Sequence, residues 1–147
     1  MKIHFICRGN VLRSLVAEAY VKSLELENVD CISSGVCVDL NDSVERGYFQ
    51  STISLLERHG ISQYAKQTSD QLTQERVDGA DVTVCVNVRA FDEASALVNL
   101  PQDTIIWDVV DIGEGARALN KDIKETRIGY EEEIYAEITR HVNQLKF

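Results

Sequence analysis

Short apolar runs of strand length alternate along this chain with longer stretches whose apolar residues recur at helical spacing, and that alternation narrows the possible folds more than any other feature. Lys2-Ile3-His4-Phe5-Ile6, Val29-Asp30-Cys31-Ile32-Ser33, Asp81-Val82-Thr83-Val84-Cys85-Val86 and Thr104-Ile105-Ile106-Trp107 read as strands. The third is almost wholly apolar, as expected of a strand buried on both faces. Ser14 to Leu26 carries Val16, Ala19, Tyr20 and Leu24 on a helical stripe, and Glu45 to Arg58 carries Phe49, Ile53 and Leu56 with Gly60 as its stop. A third helix is expected over Arg89 to Val98, ahead of Pro101, and a last one from Tyr130 to Gln144, striped by Tyr130, Ile134, Ile138, Val142 and Leu145. Strands joined by helical crossovers of this length pair in parallel. The expected fold is therefore α/β, a four-stranded parallel sheet with helices on both faces, formed by residues 1–147 as a single domain.

Composition excludes several functions. With 24 acidic and 15 basic side chains the net charge is −9, the wrong sign for a general nucleic-acid binder. Acid runs such as Glu131-Glu132-Glu133 read as a solvated helix face. No run approaches the ~20 apolar residues of a membrane span, and Met1 to Cys7 does not resemble a secretory leader. The cysteines Cys7, Cys31, Cys37 and Cys85 form no CxxC pair or His/Cys metal spacing, and free thiols suit a reducing cytoplasm, the expected location.

In open parallel sheets ligands bind at the carboxyl ends of the strands. That rule points to Cys7, Ser34-Gly35, Asn87 and the run Asp108 to Asp111. After the first strand stands Cys7-Arg8-Gly9-Asn10-Val11-Leu12-Arg13-Ser14. Free amides at a helix N-terminus, together with the positive end of its dipole, attract an anion. Gly9 allows close backbone approach, Asn10 tolerates a left-handed conformation, and successive amides curling about one point make a nest for phosphate. Arg8, Gly9, Asn10, Val11, Leu12, Arg13 and Ser14 are thus the candidate phosphate-binding residues. Arg13 is suited to clamp phosphoryl oxygens bidentately. Positive partial charge around Cys7 favours its thiolate as a nucleophile, with Ser14 placed to hydrogen-bond it. A Cys six residues before an Arg says little alone; the strand before, the helix after, the Gly-Asn inside and the Ser behind give it meaning.

Phosphoryl transfer also needs a proton for the leaving group. Asp108 and Asp111 both lie past the fourth strand at the same edge as Cys7, and position alone does not choose between them.

The loop resembles the Cys-x-Gly-Asn-x-Cys-Arg-Ser-Pro signature of the low-molecular-weight protein tyrosine phosphatases and their bacterial relatives, with Ala17-Glu18 behind it in the first helix. Ser33-Ser34-Gly35, Arg58-His59-Gly60-Ile61, Leu72-Thr73-Gln74-Glu75 with Ala80-Asp81, and Trp107 to Asp111 extend the resemblance over nearly the whole chain, as a divergent member. It implies a phosphocysteine intermediate on Cys7, phosphate binding by Arg13 and the loop amides, Asp111 rather than Asp108 as general acid and base, and no metal or other cofactor. The chain departs from the family pattern at several positions. Leu12 replaces a second loop Cys, Leu15 and Ile112 replace prolines, Asn87 replaces an Asp, and Gln67 lies near a usual His. Ile112-Gly113-Glu114-Gly115 lacks the aromatics that wall a phosphotyrosine ring; Tyr48 and Phe49 are candidate replacements, Phe49 fitting helix core better. Arg8, where relatives have an apolar or small residue, favours an acidic substrate.

The implied substrate is a phosphotyrosine protein or a small phosphomonoester, with neither nucleic acid nor membrane as partner. Two other readings compete. A degenerate phosphate- or phosphoprotein-binding module would keep the loop without turnover. An arsenate reductase would need relay cysteines; Cys85, inside a strand with no second Cys after it, supplies one poorly, while Cys37, in the flanking loop, keeps that reading open.

Overall fold

The computed structural model describes residues 1–38, 43–111 and 123–147. Four strands form one parallel sheet: β1 (Lys2–Cys7), β2 (Asp30–Gly35), β3 (Val82–Cys85) and β4 (Ile105–Ile106), in the spatial order β2-β1-β3-β4. Among the described residues the helices are α1 (Arg13–Ser23), α2 (Ser43–Arg58), α3 (Gln74–Asp78), α4 (Val88–Ser95) and α5 (Ile123–Asn143). α1 and α5 pack together on one face, and α4 packs over β1 and β3. Crossovers leave β1 and β3 towards opposite edges, so right-handed connections place α1 and α4 on opposite faces and open a crevice between the carboxyl ends of β1 and β3.

Central position explains the apolar runs. Ile3, Phe5, Ile6, Val84, Cys85 and Val86 are all buried. The expected stripe of α5 is observed, with Tyr130, Ile134, Ile138 and Val142 buried and Leu145 packed beside them. Gly60, at φ 73°, ends α2: its amide bonds the Glu57 carbonyl at 3.0 Å and the Ile61 amide bonds that of Leu56 at 2.9 Å, a Schellman closure.

Local expectations need correction in several places. Glu131, read as part of a solvated helix face, is 1% exposed, because α5 turns it onto Ser51 of α2, and α5 begins at Ile123 rather than Tyr130. β4 spans two residues, shorter than the expected Thr104 to Trp107, because pairing to β3 covers only Val84↔Ile105 and Cys85↔Ile106. The inward face of α2 is Thr52, Leu55 and Leu56, while Phe49 and Ile53 are half-buried, since α2 is rotated to bring Thr52 onto the loop after β1. α1 ends at Ser23 and Leu24 is exposed, because Glu25 and Asn28 adopt left-handed backbone in the turn to β2. The short helix α3, capped by the Thr73 hydroxyl, has no counterpart in the sequence reading. The segment Ile112 to Gly115 and part of the loop from Val36 to Gln50 lie outside the described residues, so the missing aromatic wall is not described. Among the described residues no helix is long and apolar enough to cross a membrane.

Candidate active site

β1 ends on Cys7, only 2% exposed, and the chain bends through Arg8 to Leu12 before α1 begins at Arg13. The loop curls because Asn10 is left-handed, at φ 55°, a conformation Asn accepts at lower cost than most residues. Every polar group of Asn10 is engaged. Its amide points at Cys7 Sγ (3.2 Å), and its carbonyl accepts from Ser69 Oγ (2.8 Å). Its Oδ1 accepts the Asp70 amide (2.9 Å), while Nδ2 donates to Ser14 Oγ (2.7 Å) and Ser33 Oγ (2.9 Å). A backbone amide can only donate, which fixes the orientation of the Asn10 side chain. Ser14 Oγ stands 2.8 Å from Cys7 Sγ. Because it already accepts from Asn10, its own proton is available to the sulfur.

Arg13 is buried, 6% exposed, and Nη1 donates to the Val109 carbonyl at 3.1 Å. Asn87 Nδ2 donates to the same oxygen at 3.2 Å, while Asn87 Oδ1 caps α4 through the Ala90 amide. The loop arginine and the end of β3 therefore both grip the segment leading to Asp111. Asp108 is turned away: its carboxylate is 86% exposed and meets His141 Nε2 at 2.9 Å, with that imidazole stacked on Trp107. Asp111, half-buried, follows Val109 by two residues. The structure thus separates two acids that position in the sequence left equivalent.

The remaining candidates differ in burial and partners. Gly9 and Val11 are half-buried and Leu12 is buried. Arg8 is exposed and leans towards α4, with Nε 3.6 Å from Glu93. Tyr48 is half-buried beneath the Arg127 guanidinium, 4.0 Å from the ring centre. One turn further along α2, the Thr52 hydroxyl bonds the Val11 carbonyl of the loop. Gln67 is exposed and turns to the Ala65 carbonyl, away from the loop. Cys31 and Cys85 are buried core thiols, each pushed up to about 12: burial acts first on both, aided by Glu18 at Cys31 and by Cys7 at Cys85. Cys37 is exposed.

Four contributors escaped the sequence reading: Thr52, Ser69, Asp70 and the Val109 carbonyl. Ser69 and Asp70 stand two and three residues past Gln67, a position already marked as departing from the family pattern. Nothing in the sequence marked Thr52 or a main-chain carbonyl.

The first strand of the parallel sheet thus delivers the buried Cys7 thiol to a loop that leads into the N-terminus of α1, with the Asn10 amide aimed at the sulfur. Comparison with known proteins carries this further. The family model described as low molecular weight phosphotyrosine protein phosphatase matches residues 2–146. The chain belongs to that family, and it is a cysteine-based phosphatase.

Solved structures share the fold. The YwlE arginine phosphatase from Geobacillus stearothermophilus is 24% identical with a TM-score of 0.59, over 97% of this chain and 91% of that one. A low molecular weight protein tyrosine phosphatase from T. tengcongensis is 18% identical with a TM-score of 0.65, covering 99% of both chains. Vibrio vulnificus Wzb, in complex with benzylphosphonate, is 15% identical with a TM-score of 0.68, covering 98% of both. A search of curated proteins gave no match.

Proposed function

We propose that this chain hydrolyses phosphotyrosine in proteins, with Cys7 as nucleophile, Arg13 and the loop amides as phosphate ligands, and Asp111 as general acid and base. The observation that carries this reading is the setting of Cys7 Sγ, which has the Ser14 hydroxyl at 2.8 Å and the Asn10 amide at 3.2 Å. Donors aimed at a sulfur stabilise its anion and hold it ready for in-line attack. In the first step the sulfur bonds to phosphorus, the ester P–O bond breaks, and Asp111 gives its proton to the leaving oxygen. In the second, Asp111 takes a proton from water as its oxygen attacks phosphocysteine, releasing phosphate and restoring the thiolate.

An aryl ester suits the depth of the site, because a nucleophile this buried favours a phosphoryl group carried on a long, flat stem. Tyr48, braced by Arg127, offers a ring at the rim. The benzylphosphonate complex of Wzb gives an aryl ligand on the same fold. Two further observations weigh against the competing readings. Arsenate reduction requires a second thiol that relays a disulfide, and Cys85 is wholly buried with its thiol proton firmly held. A binding module has no use for a Ser14 hydroxyl kept free to donate to sulfur.

The test is hydrolysis of p-nitrophenyl phosphate, a phosphotyrosine peptide and a phosphoarginine peptide, with Cys7→Ser as control. Turnover of the first two, lost in Cys7→Ser while vanadate still binds, is expected. Preference for phosphoarginine would reassign the substrate, and no turnover of any would leave a binding module. Asp111→Asn should slow poor leaving groups by ~10² or more, and Asp108→Asn by less than about twofold. Equal losses would remove Asp111 from its role.

A further inference from the structure

The segment between the short 3-10 turn Ser62–Tyr64 and α3 runs along the free edge of β2 and reaches the back of the catalytic loop. It is attached to β2 as a strand would be. The Gly35 amide bonds the Asp70 carbonyl at 2.8 Å, the Leu72 amide bonds the Gly35 carbonyl at 2.8 Å, and Gly35 bridges Gln71 in parallel. Two of its residues hold Asn10 directly: the Asp70 amide on Oδ1 and the Ser69 hydroxyl on the carbonyl.

What holds the segment is a cluster of three charges. Lys66 Nζ donates to the Ser33 carbonyl at 2.8 Å and to Asp70 Oδ2 at 2.9 Å. Arg76, from α3, donates Nη2 to the same Ser33 carbonyl at 3.0 Å and Nε to Ser34 Oγ at 2.7 Å. Lys66 thus touches both residues that fix the loop from behind: Ser33, whose hydroxyl receives Asn10 Nδ2, and Asp70, whose amide fills Asn10 Oδ1. Its side chain is 14% exposed, and burial holds its ammonium below the usual range, with the bond to Asp70 offsetting only part of that cost. Asp70, more open to water, lies below its own usual range: burial opposes this, but the Lys66 bond and the Lys66 and Arg76 charges prevail. A half-buried cation bonded to both supports of one loop residue has the geometry to hold that residue in place.

We propose that Lys66 is a positioning residue for catalysis, fixing Ser33 and Asp70 so that Asn10 keeps its left-handed backbone and directs the Ser14 hydroxyl at Cys7. It acts through Asn10 and touches neither substrate nor phosphorus. The proposal rests on Cys7 being the nucleophile.

The test compares Lys66→Met and Lys66→Arg with the unaltered chain. Two readouts are taken: turnover of p-nitrophenyl phosphate, and the rate of Cys7 alkylation by iodoacetate at pH 7, followed by mass spectrometry with exposed Cys37 as internal reference. Lys66→Met is expected to lower kcat about tenfold, the rate equivalent of one charge-assisted hydrogen bond, and to slow Cys7 alkylation severalfold with Cys37 unchanged. Lys66→Arg should recover most of both, because it restores a donor to the Ser33 carbonyl and Asp70. A purely structural Lys66 would behave otherwise: its loss would loosen the loop, expose Cys7 and speed its alkylation. Faster or unchanged alkylation in Lys66→Met, or equal defects in both variants, would overturn the proposal. Should Lys66→Met fail to fold, Asp70→Asn, which removes only the carboxylate charge and keeps the amide, gives the same two readings. The alkylation comparison does not depend on turnover, so loss of the phosphatase reading through retained activity in Cys7→Ser would be recognised separately.

Discussion

Gly35 shows how tightly single residues are committed around Cys7. It pairs with Cys7 across β1 and β2, and a Cβ there would lie 2.8 Å from the Arg8 carbonyl oxygen and 2.9 Å from the Asn10 nitrogen. Both are main-chain atoms of the loop and cannot swing aside. Gly35→Ala is expected to destabilise the fold by about 2–3 kcal/mol and to cost at least about tenfold in kcat/KM, measured by urea unfolding and phosphate release. Asn10 combines a conformational and a hydrogen-bonding duty, and two substitutions separate them. Asn10→Gly keeps access to φ 55° and loses the side-chain bonds; Asn10→Ala loses both. Turnover of both should fall by ~10², with Asn10→Ala less stable by a further ~1 kcal/mol in urea.

Between elements, α2 and α5 are joined by a buried polar contact that also braces Tyr48, the residue proposed for the pocket wall. Ser51 Oγ lies 3.1 Å from both carboxylate oxygens of Glu131, which is 1% exposed, and Arg127 reaches Glu131 at 3.8 Å while covering Tyr48. Burial raises the Glu131 carboxyl, and Arg127 and Ser51 only partly counter it. A raised carboxyl contributes stability at low pH that is lost as pH rises through its folded value, so at neutral pH the charge is a burden. Glu131→Gln should therefore unfold at the same urea concentration as the parent or a higher one. Arg127→Ala, which leaves the buried carboxylate without its cation, should cost about 2 kcal/mol and raise KM for an aryl phosphate by unbracing Tyr48.

At the scale of the whole molecule, acid is expected to act through the central strand. His4, fully buried on β1, bonds Ser34 Oγ at 2.8 Å and is lowered to about 3, first by burial and then by the charges of Arg76, Lys66 and Lys2. The unfolded chain takes up this proton near pH 6.5 and the folded chain only near pH 3, so stability falls as pH drops through that window. Urea midpoints should show a loss of about 2 kcal/mol by pH 5 and about 4 by pH 3, and His4→Leu should flatten that slope. The Glu131 contribution runs in the opposite direction, so a double variant with Glu131→Gln isolates the His4 part.

The alternation of strands and helices, the stop at Gly60, the stripe of α5 and the left-handed turn at Asn10 were all legible in the sequence, because each rests on local chemistry: side-chain periodicity and the access of glycine and asparagine to positive φ. The inward turn of Thr52, the short reach of β4, the joining of residues 66–72 to β2, and the division between Asp108 and Asp111 were decided by the tertiary structure. Asp108 and Asp111 carry the same carboxylate at nearly the same place in the chain. His141, 33 residues beyond Asp108, draws that side chain outward. Arg13, 96 residues before Val109, holds the segment leading to Asp111 against the start of α1. Contacts between residues so far apart depend on how helices and strands pack, and spacing within one segment carries no record of them.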